Sequence, residues 1–191
     1  EFQGSFCEYK VIDPITGVDL PKGVEGELAC RGVTIARGYY KSPGVNARTF
    51  DKDGWMRTGD LGAIHDDGYI ELTGRSKEIY IRGGELVAPR EVENYISSHP
   101  KVNQVYIVGV PDEKYGEVGL AYIELKGGEA CSRQEIVSFC KKRISKFKVP
   151  TYVKFISGSE FPLAATGKVQ KFKLQERGIT ELGLEEVKTK Y

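Results

Sequence analysis

Three short segments carry residue types that handle phosphate and sugar oxygens. Thr58-Gly-Asp60 sets a carboxylate beside a glycine, in what reads as a tight turn after a strand. Such a carboxylate can accept two hydrogen bonds from a vicinal diol, for example a ribose, and it equally suits an Asx-turn at a surface. Gly74-Arg75 offers a planar guanidinium that fits phosphate or ribose oxygens, or an ordinary linker arginine. Thr166-Gly-Lys168 puts a compact, mobile charge on a glycine turn, where it can meet a phosphate or stay solvated. This last segment is not a phosphate-binding loop of the G-x-x-x-x-G-K-[ST] type, because Pro162 and Val169 stand where that loop needs glycine and a hydroxyl. A basic run, Lys141 to Lys148, follows a helix, where cations complement the helix dipole on a solvated face or attract an acidic ligand.

The elements that must hold these residues change in kind along the chain. Residues 8–13 and 26–31 read as strands, separated by turn chemistry at Pro14, Gly17, Pro21 and Gly23. Gly38 to Gly44 reads as a loop or short helical turn, and Asp51 to Gly54 as a turn leading into Trp55–Thr58. His65-Asp-Asp-Gly68 is a hairpin signal ahead of Tyr69–Leu72. After Gly74 the pattern alternates between strands and helices. A hairpin is expected around Gly83-Gly84, a helix from Pro89 to about Ser98, and strands at 102–110, 118–125 and 152–156. Ser132 with Glu135 reads as a capping box opening a helix with Ile136, Phe139, Cys140 and Ile144 on one face, stopped by Pro150. His99 reads as a helix-end residue. This order predicts an α+β fold with a short mixed or antiparallel sheet.

Composition sets the outer limits. The chain has 191 residues, 40% hydrophobic and 29% charged, with a net charge of +1. That balance excludes a disordered chain and gives no field that would draw in nucleic acid. No apolar run approaches the roughly 18–20 residues of a membrane span. Residues 1–74 carry 8 basic and 12 acidic side chains, whereas residues 75–191 carry 20 and 15, so an acidic part precedes a basic one. Cys7, Cys30, Cys131 and Cys140 form no C-x-x-C, and His65 and His99 are the two histidines, so no metal site is expected. The cysteines show no disulfide framework, which points to a reducing, cytoplasmic setting. With no initiating Met and no secretory leader at residues 1–6, the chain reads as starting inside a longer protein.

Order and spacing of the segments say more than any one of them. Arg57-Thr-Gly-Asp-Leu61, Gly74-Arg-Ser-Lys-Glu-Ile79, Arg82-Gly-Gly-Glu85, Pro89-Arg-Glu-Val-Glu93 and Pro162-Leu-Ala-Ala-Thr-Gly-Lys168 resemble the C-terminal part of the acyl-adenylate-forming enzymes. That superfamily includes AMP-forming acyl- and aryl-CoA ligases, carrier-protein-loading adenylation domains and beetle luciferases. Gly38-Tyr-Tyr40, Asp53-Gly-Trp55 and Gly109 to Glu117 extend the resemblance over essentially the whole chain. Within the superfamily it is most similar to CoA ligases of fatty or aromatic acids, and the stretch Gly167 to Leu174 leans toward short- to medium-chain acids.

The resemblance implies residues 1–76 as the β-rich, distorted-barrel-like end of a large N-terminal domain. Residues 77–191 would be a small mobile α+β domain, with its hinge at Lys77. It implies a two-step reaction in which a carboxylic acid and ATP give acyl-AMP and pyrophosphate, and coenzyme A then displaces AMP. Lys168 matches the mobile catalytic lysine, Asp60 the residue that holds the ribose hydroxyls, and Arg75 the arginine that assists at ribose and phosphates. Gly83 and Gly84 match a hairpin that lines the pantetheine tunnel. Mg²⁺ and its ligands, the phosphate loop and the acyl pocket would lie in the missing N-terminal domain. This polypeptide alone is therefore expected to be inactive. Leu86 departs from a common Asn or Gln, Phe161 from a common Leu and Leu163 from a common basic residue. The alternatives are a carrier-protein-loading domain and a non-catalytic binding module of the same fold.

Overall fold

The computed structural model describes residues 6–187. They form two compact units that divide between Lys77 and Glu78. Among the described residues, no helix is long and apolar enough to cross a membrane.

The first unit is an antiparallel meander of β1 (Cys7–Ile12), β2 (Gly26–Gly32), β3 (Met56–Ile64) and β4 (Ile70–Arg75), in the order β1-β2-β3-β4. It is an open sheet among the described residues. Val11, Leu28, Ala29, Cys30, Leu61 and Ala63 supply most of its buried apolar side chains. The Asp-Asp-Gly turn closes β3 onto β4, with the His65 amide donating to the Tyr69 carbonyl at 2.9 Å and Gly68 at a φ of +87°. A short helix α1 (Pro43–Thr49) follows Ser42 and buries none of its residues. The sequence offered only a loop or short helical turn at 38–44, since a helix that buries nothing has no apolar stripe to read.

Thr58-Gly-Asp60 lies inside β3, not on a turn after a strand. Gly59 takes a φ of +75° within the strand, and the ladders slip on both sides, between Glu27 and Ala29 and between Leu61 and Gly62. Glycine here re-aims the neighbouring side chain at a strand irregularity instead of reversing the chain.

The second unit has a sheet of β5 (Tyr80–Arg82), β6 (Glu85–Val87), β7 (Val102–Asp112), β8 (Gly116–Leu125) and β9 (Tyr152–Phe155), ordered β6-β5-β8-β7 with β9 parallel to β8. The period-2 pattern of the long hairpin buries both faces. Val105, Ile107, Ala121 and Ile123 pack with Val92 and Ile96 of α2 (Pro89–Ser97) and with Ile136 and Cys140 of α3 (Arg133–Cys140). Val108, Val110, Leu120 and Tyr122 pack on the other side with Leu174 of α4 (Lys171–Leu182).

Three local expectations need correction. Helix α3 ends at Cys140, so the basic run occupies turns and a 3-10 segment (Lys146–Lys148) ahead of Pro150. Ser132 caps it by accepting from the Glu135 amide at 3.1 Å, but the Glu135 carboxylate turns to Lys101 instead of completing the box. Helix α4 was not foreseen, because Gly178 interrupts its apolar spacing. A Cβ at Gly178 would stand 2.4 Å from Leu120 Cδ2, so the glycine lets the helix sit close on the sheet.

Gly109 and Gly119 face each other across β7 and β8 and make a slot for the buried Tyr80 ring. A Cβ at Gly119 would fall 2.5 Å from Tyr80 Oη. Gly119→Ala is therefore expected to cost about 1–3 kcal/mol by overpacking, read from urea denaturation followed by circular dichroism. A change below about 0.5 kcal/mol would mean that the ring gives way freely.

Candidate functional site

Asp60 and Arg75 end up opposite one another in the β3–β4 register, and Arg75 Nε stands 2.8 Å from Asp60 Oδ1 in an ion pair. Both side chains remain partly exposed, so the Asp60 carboxylate is open to a ligand. Beneath them is a residue the sequence reading passed over. Glu27 of β2, 4% exposed, accepts from Arg57 Nε at 2.9 Å, from Arg57 Nη2, and from the Gly59 amide at 3.0 Å. Thr58 Oγ1 donates to the Leu28 carbonyl at 2.8 Å and accepts from the Asp60 amide at 3.1 Å. Glu27 and Thr58 thus hold the irregular stretch of β3 that presents Asp60.

A cleft of about 470 Å³ opens beside this stretch, lined by Arg48, Arg57, Arg75 and Lys77 against the single carboxylate of Glu27. Glu27 and Asp60 balance Arg57 and Arg75, and the charges of Arg48 and Lys77 leave the lining net positive, which suits an anionic ligand. The same inventory bears on a divalent cation. Glu27 is the one acidic lining residue and is committed to Arg57 and Gly59, so this cleft offers no free carboxylate to Mg²⁺.

Lys77 is the last residue of the first unit and sits in a 3-10 turn, Ser76–Glu78, that runs into the second. Gly83 and Gly84 form the β5–β6 turn, at φ values of +60° and +92°. The Gly83 amide donates to the Tyr115 carbonyl at 2.7 Å, and nothing lies within 4 Å of a Cβ built on Gly84. Arg82 secures the hairpin by donating to the carbonyls of Phe147 and Val149 at 2.9 and 2.8 Å. Leu86 is exposed.

Lys168 is exposed on another tight hairpin of the second unit. Leu163 pairs with Val169, the Ala164 amide donates to the Lys168 carbonyl at 2.8 Å, and Gly167 takes a φ of +78°. Phe161, 4% exposed, roots one strand of this hairpin edge-on against Tyr106, and Val169 packs on the same core. Of the expected site residues, Asp60 and Arg75 are brought into contact. Lys77 lines the cleft beside Arg75, and the two glycines and Lys168 stand on separate hairpins of the second unit.

Another cluster lay hidden in the sequence. His99, Cys131 and Glu135 bring possible metal-ligand atoms within 4.8 Å of one another, from three segments with no metal-type spacing. His99 stands at the end of α2, as its place before Pro100 suggested, and is buried at 5% exposure, edge-on to Phe139. The Lys101 ammonium already stands 3.0 Å from the Glu135 carboxylate. Its hydrogen bond holds the Glu135 carboxyl below the usual range, while burial raises the Cys131 thiol. An internal cation and a protonated thiol make this a structural ion pair.

Comparison with known proteins gives the family. Residues 91–168 match the model of the AMP-binding enzyme C-terminal domain. A putative acyl-CoA synthetase, YngI of Bacillus subtilis, is 42% identical over 177 residues, which cover 93% of this chain and 32% of the relative. The mitochondrial medium-chain acyl-CoA ligase ACSF2 of Danio rerio is 41% identical over 177 residues, covering 93% and 29%. Among solved structures, ATP-bound MatB from Rhodopseudomonas palustris superposes with a TM-score of 0.83 at 33% identity, over 90% of this chain and 34% of that one. The chain therefore spans about a third of the length of these relatives. The α+β architecture, the family-model match and the run of adenylate-forming neighbours converge: this chain belongs to the acyl-adenylate-forming enzymes and corresponds to their C-terminal portion.

Proposed function

We propose that the chain is the C-terminal part of an AMP-forming acyl-CoA synthetase, acting on a carboxylic acid, ATP and coenzyme A. The Asp60–Arg75 pair, whose arginine lines a cationic cleft, carries the reading, since it joins a diol acceptor to a phosphate-suited cation. The names of the relatives add acyl-CoA ligase chemistry and, for ACSF2, medium-chain acids.

In the first step a carboxylate oxygen attacks the α-phosphorus of ATP. The bond to the β-phosphate breaks, and pyrophosphate leaves. Two anions must meet, so positive charge has to stand at the reacting oxygens. Lys168 supplies it from the exposed hairpin. The Asp60 carboxylate takes the ribose hydroxyls, while Arg75 keeps Asp60 oriented and reaches the phosphates. In the second step the thiol sulfur of coenzyme A attacks the acyl carbon and AMP leaves. A swing of the second unit about Lys77 would remove Lys168 and bring the Gly83-Gly84 turn to the pantetheine, where side-chain-free backbone passes close to a thin ligand. ATP implies Mg²⁺, and its ligands are assigned to the part of the enzyme beyond this chain.

The test compares this polypeptide with the full-length enzyme that carries it. Carboxylate-dependent ATP–pyrophosphate exchange is expected from the full-length enzyme and none above background from residues 1–191. Exchange by the short chain would overturn the division of labour, and a silent full-length enzyme would favour a binding module.

A further inference from the structure

The segment that carries Lys168 does not end at its hairpin. Three residues on, Lys171 opens α4, with its side chain only 16% exposed. Its ammonium lies between two carboxylates, in contact with Glu78 and 2.8 Å from Glu93 Oε1. Glu93, in α2, is 6% exposed and cannot swing away, because the same Oε1 accepts from the Ile107 amide of β7 at 2.7 Å. Glu78 is the first residue of the second unit, immediately after Lys77. One partly buried cation therefore ties together the start of α4, the chain just beyond the unit boundary, and the long hairpin through α2.

The rest of the Lys168 hairpin is held by apolar packing at Phe161, Val169 and Leu174 and by the Gln170 amide on the Pro162 carbonyl at 2.8 Å. Those contacts fix how deep the hairpin base sits. The lysine–carboxylate cluster adds direction: two carboxylates converging on one ammonium allow few positions for the first turn of α4, and Lys168 stands less than one turn upstream. Glu93 is the buried member, and its desolvation offsets part of what the pairing gains, so simple stabilisation is a weak reason to build the cluster.

We propose that Lys171 is a positioning residue: held by Glu78 and Glu93, it sets where the Lys168 hairpin stands relative to the chain that leaves the hinge at Lys77. This rests on the reading of Lys168 as the adenylation lysine. Lys171 touches no reacting atom and acts through the hairpin. A displacement of about 1 Å at a reacting group costs on the order of 10²-fold, which is the scale of effect to look for.

The experiment uses the full-length enzyme with Lys171→Met, Lys171→Arg and the double variant Glu78→Gln/Lys171→Met, with Lys168→Ala beside them. Carboxylate-dependent ATP–pyrophosphate exchange reads adenylation, and thioester formation from supplied acyl-AMP reads the second half-reaction. Lys171→Met is expected to lower exchange by about 10²-fold per folded molecule and to change thioester formation less than about threefold. Lys171→Arg keeps the charge and recovers most of the exchange. The double variant removes the repulsion between orphaned carboxylates and regains melting temperature, yet exchange stays low. A structural role alone gives the opposite pattern, with both half-reactions falling together and the double variant restoring both. That pattern, or unchanged exchange in Lys171→Met, overturns the proposal while Lys168→Ala still abolishes exchange. If Lys168→Ala keeps exchange, the reading of Lys168 itself falls and takes this inference with it.

Discussion

Lys168→Ala in the full-length enzyme is expected to lower carboxylate-dependent ATP–pyrophosphate exchange by about 10²–10³-fold, while thioester formation from supplied acyl-AMP survives. The asymmetry follows from charge. Adenylation pushes a carboxylate onto a triphosphate, so removing a preorganised cation raises that barrier directly. Thioester formation starts after pyrophosphate has left and attacks an acyl carbon, where the same ammonium has no anion pair to bridge. The hairpin itself should survive the change. Its bonds at this point run through the backbone, from the Ala164 amide to the Lys168 carbonyl, and the side chain is exposed. A drop in exchange is then chemical and not a loss of folded protein, and an unchanged melting temperature checks this. Lys168→Arg should recover little, because a planar fork does not replace a compact point charge at a three-way contact. If both half-reactions persist in Lys168→Ala, Lys168 is a solvated loop residue.

The same hairpin shows which parts of the molecule were readable in advance. Lys168, Gly167 and Pro162 are neighbours in sequence, so residue types alone marked a tight turn bearing a cation. The β5–β6 turn was equally visible from adjacent glycines, and the sheet strands from runs of β-branched residues. What escaped was built from distant parts. Lys171 and Glu78 are 93 residues apart, and Arg57 and Glu27 are 30 apart, so neither pair leaves a local pattern. Helix α4 was missed because Gly178 answers to Leu120 and not to helix propensity. Thr58-Gly-Asp60 was misplaced for a related reason. A glycine at positive φ signals a turn only when nothing else holds the strand in register, and here Glu27 holds it.

Glu27→Ala tests that last statement and should be the most destabilising single change in the first unit, at about 2–4 kcal/mol. Breaking a buried ion pair from one side costs about 3–5 kcal/mol, and an exposed pair about 0–1 kcal/mol. Glu27 is on the buried side, with 5% of its side chain exposed, while Arg57 keeps 34% and can partly rehydrate. The loss also strips the Gly59 amide of its acceptor, at a position already held at a φ of +75°. Trp55, the single tryptophan, lies in this unit with Lys10 and Arg31 over its ring at 4.6 and 4.7 Å. Its fluorescence in urea therefore reports the first unit specifically. Glu27→Gln should fall between wild type and alanine, since the amide oxygen can still accept from Gly59 but no longer balances Arg57. If alanine shifts the Trp55 transition by less than about 0.5 kcal/mol, the irregular strand stands without Glu27. Asp60 would then be aimed by β3 and β4 alone.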